Sequence, residues 1–596
     1  MPTVYLSPIG NGFNFLNGAG SAPLSGGSIT TYLAGTTTPQ ATYTTSAGSV
    51  ANANPIVLNA AGSPVDSGNP VEIWLVSGIS YKFLLKDSSG SQVAIYDNLS
   101  GINDGILGLS SSNVNFISAG TGAVTRTAQD KMRDVLSIKD FGAKGDGSTD
   151  DTSSIQSMFN NVSMGTTVYW PAGVYIITGT ITIPAALLQA GQVDKGLEML
   201  GAGTEVTVVR CNSDVTMFTA TCGPTPGGSN LAWRGFTFLR SGATATHWIH
   251  SYTGVALVRF ERCYFWSDDT NTAHETGIFL QWNGATAPSW EHLIYDCRFS
   301  GCSISMSAAA DTWIDNCQIY PIVADGTSGG RNYGIKLNGC GDIKIRSHIG
   351  AAPNGAIWFT GSTANCAVVN SFFDTCANSS FLHAIFGSPA YTTFVGNIFG
   401  AMKGSAARVT DMILCTWMGN VYVNVGNLDG GSHHVINMLG SGTGSQQNSF
   451  IGEQFNGTTA LTTKIYAISE NTSAPNAGNN RIVSCNFNGA GTMFNTYPIA
   501  YGATPNNTVL WGNLQVNNVT SGTGSIGSGA TSVNVTHGLG QTPDASAIKI
   551  TGTSTMGASK FWWITAIGST TFTVNVDAAP GGSGWSFSWQ AAYRQT

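Results

Sequence analysis

The chain has 596 residues and a net charge of −7; only 10% of its residues are charged, 42% are hydrophobic and 75 are glycine. That length supports several domains and a large core, while an acidic balance without a long basic stretch argues against a nucleic-acid partner, whose phosphates are met by Lys and Arg. No run of about 18 apolar residues occurs, so no membrane span is expected, and Met1–Tyr5 lacks the basic, apolar opening of a secretion signal.

The hydrophobic residues fall in short alternating runs, the pattern of an all-β protein. Residues 1–105 predict a small β domain with strands over Ser28–Leu33, Val71–Val76, Tyr81–Lys86 and Gln92–Tyr96, the last two joined by the turn Asp87–Gly90. It holds no cysteine and few carboxylates, so no catalytic role is expected of it. Residues 106–136 read as a linker, rich in Gly and Ser at first and helix-compatible over Thr127–Val135. In a trimer this piece would be a neck.

Residues 137–518 form the main body. After Ile138–Asp151 a short amphipathic helix is predicted, with Ile155, Met158, Phe159 and Val162 on one face. Thr149, Asp150 and Asp151 suit its N-terminus, where side-chain oxygens cap free amides and negative charge meets the dipole. A strand, turn and strand follow over Val168–Tyr175.

The body then repeats itself. An apolar residue, two variable residues, a small, Cys or Asn slot, one variable residue and a Phe or aliphatic recur, as in Phe260–Phe265, Ile294–Phe299, Ile314–Ile319, Phe394–Phe399 and Ile482–Phe487. The last slot falls at 238, 265, 299, 319, 349, 372, 399, 422, 455, 487 and 515, in steps of 20 to 34 residues. A variable period built of short strands predicts the coils of a parallel β-helix, with each slot stacking into the bore. A leucine-rich horseshoe has a similar period but needs repeated leucines and helices, which are missing. Cys263, Cys297, Cys317 and Cys485 share one slot and are expected as a buried ladder of free thiols. The eleven cysteines show no zinc-type spacing, so neither disulfides, metal nor cofactor are expected. Residues 519–596 predict a β-sandwich, with strands over Ser532–Thr536, Ala547–Ile550, Phe561–Thr565, Thr571–Val576 and near Trp585–Trp589.

The stretch Asp140–Thr152 resembles the opening motif of the pectate-lyase-like β-helix superfamily, and Ala123–Met132 resembles the neck of bacteriophage tailspikes. Residues 1–105 are similar to virion-attachment domains, and Val535–Gly540 to small C-terminal modules of phage tail proteins. The resemblance implies a right-handed parallel β-helix in a homotrimer. It further implies a virion location after assembly in the host cytoplasm, attachment to tail or head-tail connector proteins through the N-terminal domain, and a bacterial surface polysaccharide as ligand. The sandwich at 519–596 would serve trimerisation or carbohydrate binding. The aspartates of the opening motif cap and fold the chain in that superfamily and are given no catalytic role.

Glycoside hydrolysis needs two carboxyl groups, about 5 Å apart in retaining enzymes and about 6.5–9.5 Å in inverting ones. The densest supply lies between 261 and 325, interleaved with tryptophans whose faces stack on sugar rings. Glu275, Asp311 and Asp315 are the first candidates for catalysis, then Asp268 and Asp269; Trp266, Trp282, Trp290, Trp313 and Arg298 are candidates for substrate binding. Each carboxylate is otherwise a plain turn or surface residue. A lyase would instead pair a base with a cation that neutralises a uronate, and a non-enzymatic adhesin would use the aromatic groove alone.

Overall fold

The computed structural model describes residues 2–592 except 105–109, 189–195, 223–229, 243–244, 269–275, 285–288, 322–332, 351–354, 375–382, 401, 403, 426–433, 440–443, 457–466, 471–477, 488–498, 501–507, 512, 514–518 and 540–541. The chain divides into two compact units, Met1–Asp134 and Val135–Thr596, so the expected linker at 106–136 belongs almost wholly to the first.

In the first unit, Ser28–Leu33 and Tyr81–Lys86 pair antiparallel within a six-stranded sheet. Alternation puts Ile29, Tyr81, Phe83 and Leu85 into its core. The strand expected over Val71–Val76 is shorter, Trp74–Val76, and pairs with Val4–Leu6. The helix-compatible piece is a five-residue helix, Ala128–Met132, capped by the Thr127 side chain.

Near the start of the second unit, after the strand Asp146–Asp150, comes the amphipathic helix Thr152–Asn161, which buries Ile155, Met158 and Phe159. Asp151 precedes it without capping it. Its carboxylate instead accepts the backbone N–H groups of Lys144 (2.6 Å) and Gly145 (3.1 Å). Asp146 likewise accepts from Ser148 and Thr149, and Asp150 from Thr152 and Thr178. These carboxylates pin the opening loop.

From there the chain winds into a parallel β-helix. Each coil places two strands in a 24-stranded sheet that bends between them, and a third in a 12-stranded sheet; these are the first, second and third faces below. The bend explains the repeat. Its third position, occupied by Arg262, Asp296, Asn316, Asn370, Gly396, Gly419, Gly452 and Ser484, has φ between 48° and 66°, a region open to Gly and tolerated by Asn and Asp. The next slot points into the bore and holds Cys263, Cys297 and Cys317, then Ser347, Ser371, Asn397, Asn420, Glu453 and Cys485, all buried. From Ser347 to Glu453 each side chain accepts the N–H of the coil before it. Among the described residues ten cysteines are buried and carry thiols rather than disulfides.

The last slot stacks aromatic rings at nearly the strand spacing: Phe265 on Phe299 at 4.7 Å, Phe399 on Tyr422 at 5.1 Å and Tyr422 on Phe455 at 4.6 Å. One position needs correction. Phe373, not Phe372, fills this slot, stacked on Phe399 at 4.8 Å, while Phe372 points outward, 37% exposed.

Outward on the first face, Arg234, Glu261, Tyr295, Asp315 and Arg346 stand in one column. Further along, the column becomes Val369, Val395, Met418, Ile451 and Val483. The C-terminal residues form two three-stranded antiparallel sheets around Val535, Phe572, Val574, Trp585 and Phe587, the expected sandwich.

Candidate functional site

The carboxylates singled out above are dispersed by the fold. Asp315 stands outward on the first face, in register with Tyr295 and Arg346 on adjacent coils. Asp311 lies four residues earlier on the same coil, about 13 Å away along the chain. It sits in the turn that enters the first face, with φ 50°, above and below Glu291 and Asp342 in the same turn position. Asp268 follows the strand Tyr264–Ser267 and accepts the N–H of Gly242. Asp269 and Glu275 lie outside the described residues.

The tryptophans do not form one platform. Trp313 is exposed on the first face, with the Lys344 ammonium 4.5 Å from its ring. Trp290 is exposed in a two-stranded ribbon at the corner before that face. Trp282 follows the third-face strand Gly277–Gln281, and Trp266 is half-buried on the second face. Arg298, also on the second face, lies 4.8 Å over the Tyr264 ring.

A cleft of 410 Å³ follows the bend between the first and second faces, lined by Asp296, Asn316, Gln318, Arg346, His348 and Phe372, among others. Register brings these together from four consecutive coils: Gln318 pairs with Arg298 on one side and His348 on the other, and His348 with Phe372. Asp315 joins the cleft through Arg346, whose Nε and terminal nitrogen donate to its two carboxylate oxygens at 2.5 and 2.7 Å. This two-pronged bond drives the guanidinium still further above its usual pKa. Asp296, at the left-handed bend position, accepts from the Asn316 amide at 3.1 Å.

His348 is half-buried. Its Nδ1 lies 3.2 Å from the Tyr320 hydroxyl, and its ring meets Phe372 edge-on at 5.1 Å. Burial lowers its pKa, with Asp374 opposing, so the imidazole is neutral at neutral pH. The cleft therefore combines the Asp296 carboxylate, a fixed cation that holds Asp315 at the margin, a neutral imidazole, amides and an aromatic edge. That set can hydrogen-bond a polyhydroxylated chain and move a proton on it. Asp315 was identifiable from its repeat slot; Arg346 and His348, 31 and 33 residues further on, meet it only through the stacking of coils.

Among the described residues no group of three or more His, Cys, Asp or Glu is placed to hold a metal ion. No described helix is long and apolar enough to cross a membrane.

Comparison with known proteins agrees with this architecture. Residues 135–376 match the family described as rhamnogalacturonase A/epimerase, pectate lyase-like. The crystal structure of the Dettilon tailspike protein superposes on 82% of this chain and over 98% of its own, with a TM-score of 0.51 at 15% identity, a likeness in fold. A 58-residue stretch, 10% of this chain and 7% of the relative, is 43% identical to a probable glucan endo-1,3-beta-glucosidase of Arthroderma benhamiae. Another of 49 residues, 8% of this chain and 6% of the relative, is 49% identical to a tail spike protein of an Escherichia phage. The chain thus spans less than a tenth of the length of these curated relatives.

Proposed function

We propose that this pectate-lyase-like β-helix is the body of a homotrimeric phage tailspike that binds a bacterial surface polysaccharide, O-antigen or capsule, and hydrolyses it within the chain. The observation that carries the reading is the cleft at the bend, lined by Asp296 and Arg346, with Asp315 of the adjacent coil held at its margin by the Arg346 guanidinium. The Cα atoms of Asp296 and Asp315 are roughly 6 Å apart, one strand spacing across and one residue along. Arg346 fixes the Asp315 carboxylate through two hydrogen bonds, and Asp296 supplies the second carboxyl group that hydrolysis requires.

The trimer is supported by the apolar half of the first-face column. Met418 and Ile451 are 43% and 38% exposed, on a face that a second chain would cover. Residues 1–105 would bind tail or connector proteins of the virion.

A lyase is the second reading. It is favoured by His348, a neutral imidazole in the same cleft as Arg346, since proton abstraction beside a uronate needs a base and a cation. The test is a pair of variants, Asp315→Asn and His348→Gln, assayed on a polysaccharide that the wild type shortens. Hydrolysis by the carboxyl pair requires the first to abolish shortening while binding persists; loss only in the second points to the lyase. Binding without shortening by the wild type, on a host confirmed by infection, leaves an adhesin.

A further inference from the structure

On the first face an exposed ring stands between two ion pairs. The outward column Arg234, Glu261, Tyr295, Asp315, Arg346 takes one residue from each of five consecutive coils. Arg234 pairs with Glu261 at 3.2 Å and with Glu198 at 2.9 Å, while Arg346 holds both oxygens of Asp315. Each arginine thus comes from the coil on the far side of its carboxylate from Tyr295. Within the column the charges nearest to the Tyr295 position are two carboxylates, one strand spacing away on either side, and the arginines follow at roughly 10 Å.

Tyr295 is 40% exposed, and Trp313, on the next coil, is 50% exposed. Leu293 is in register with Trp313 and Tyr295 with Asp315, so the two rings leave the same side of the sheet with Cα atoms roughly 8 Å apart on the diagonal. The next residue after Tyr295 is Asp296, which lines the cleft. Two accessible rings therefore border the cleft on its first-face side, with carboxylates next to the nearer one.

We propose that Tyr295, with Trp313 beside it, is a subsite for an uncharged sugar residue of the bound polysaccharide, adjacent to the part of the chain held in the cleft. The C–H face of the sugar would lie against the Tyr295 ring. Its hydroxyls would donate to Glu261 and Asp315, since a carboxylate has about four acceptor positions and the arginines use only some of them. An acidic sugar at the same place would set its charge against two carboxylates about 5 Å away. The proposal rests on the polysaccharide reading above and adds the chemistry of the substrate at one position.

The probes are O-antigen and capsular oligosaccharides prepared from candidate host bacteria, and the same oligosaccharides after oxidation of their primary hydroxyls to carboxylates. Affinity for the full chain is measured at one fixed salt concentration. The wild type is expected to bind an unoxidised probe at least tenfold tighter than its oxidised form. Tyr295→Ala should weaken the unoxidised probe tenfold or more, while Tyr295→Phe, which keeps the ring, stays within threefold of the wild type. Glu261→Gln should tighten the oxidised probe threefold or more. Light scattering should report the same assembly for Tyr295→Ala as for the wild type; a changed assembly would assign the ring to a contact between subunits. That result, unchanged affinity in Tyr295→Ala, or an oxidised probe bound as well as its parent overturns the subsite while the tailspike reading stands. If the wild type binds no polysaccharide of a host confirmed by infection, that reading fails and the subsite with it.

Discussion

Arg346 and Asp315 face each other across adjacent coils, joined by two hydrogen bonds of 2.5 and 2.7 Å. The pair is largely a surface feature on the Arg346 side, whose side chain is 58% exposed, so it contributes little to stability. Its consequence is orientation: it fixes the Asp315 carboxylate beside the cleft. Arg346→Gln is therefore expected to lower kcat at least tenfold and shift the melting temperature by no more than about 2 °C. Steady-state kinetics beside thermal unfolding checks both, and an unchanged kcat contradicts the role given to the pair.

The apolar column on the first face makes a separate prediction about assembly. Met418→Glu with Ile451→Glu places two charges on the surface that three chains would share. Light scattering is expected to show trimers for the wild type and monomers for the double variant. A monomeric wild type would contradict the trimer.

Glu453 predicts a pH dependence of stability. It is fully buried in the bore slot, where it accepts from Asn420 N–H (3.2 Å), the Asn420 amide (3.1 Å) and the Tyr422 hydroxyl (2.5 Å). Burial pushes its pKa up to about 7 against those hydrogen bonds. A carboxyl whose pKa is raised on folding stabilises fully below its unfolded value of roughly 4.5, and that contribution is lost as pH rises through about 7. The loss is on the order of 3 kcal/mol. Melting temperatures of the wild type should fall relative to Glu453→Gln between pH 5 and 8, and parallel profiles would contradict the assignment.

The aromatic stack of the second face supports a stability prediction. Phe399 packs between Phe373 and Tyr422 with no exposure. Phe399→Ala is expected to cost roughly 3–5 kcal/mol, because neighbouring coils are tied by their own hydrogen bonds and close the cavity only in part. Denaturant unfolding measures it; a loss below about 1 kcal/mol would mean that the coils relax freely.

What the sequence conveyed follows from what repeats. The bend slot is marked by Cys, Asn or Gly beside a buried Phe, so the coils and the thiol ladder were legible. At Phe372-Phe373 two phenylalanines compete for one inward position, and the pattern alone chose the outward one. The site was harder to read because its members come from different coils of unequal length. Asp296 reads as a turn residue because it is one, with φ 52°, and only the structure puts it against Asn316 and into the cleft with Arg346. The tryptophans between 266 and 313 are close in sequence, yet a coil of about 28 residues carries such neighbours to different faces.

Cleavage of a bacterial surface polysaccharide is tested by incubating the purified protein with polysaccharides from candidate host bacteria and following product size and ultraviolet absorbance together. Shorter chains with no new absorbance, the signature of hydrolysis, are expected; shorter chains absorbing in the ultraviolet would replace the hydrolase with a lyase, and polysaccharide of unchanged length from a host confirmed by infection would contradict cleavage altogether.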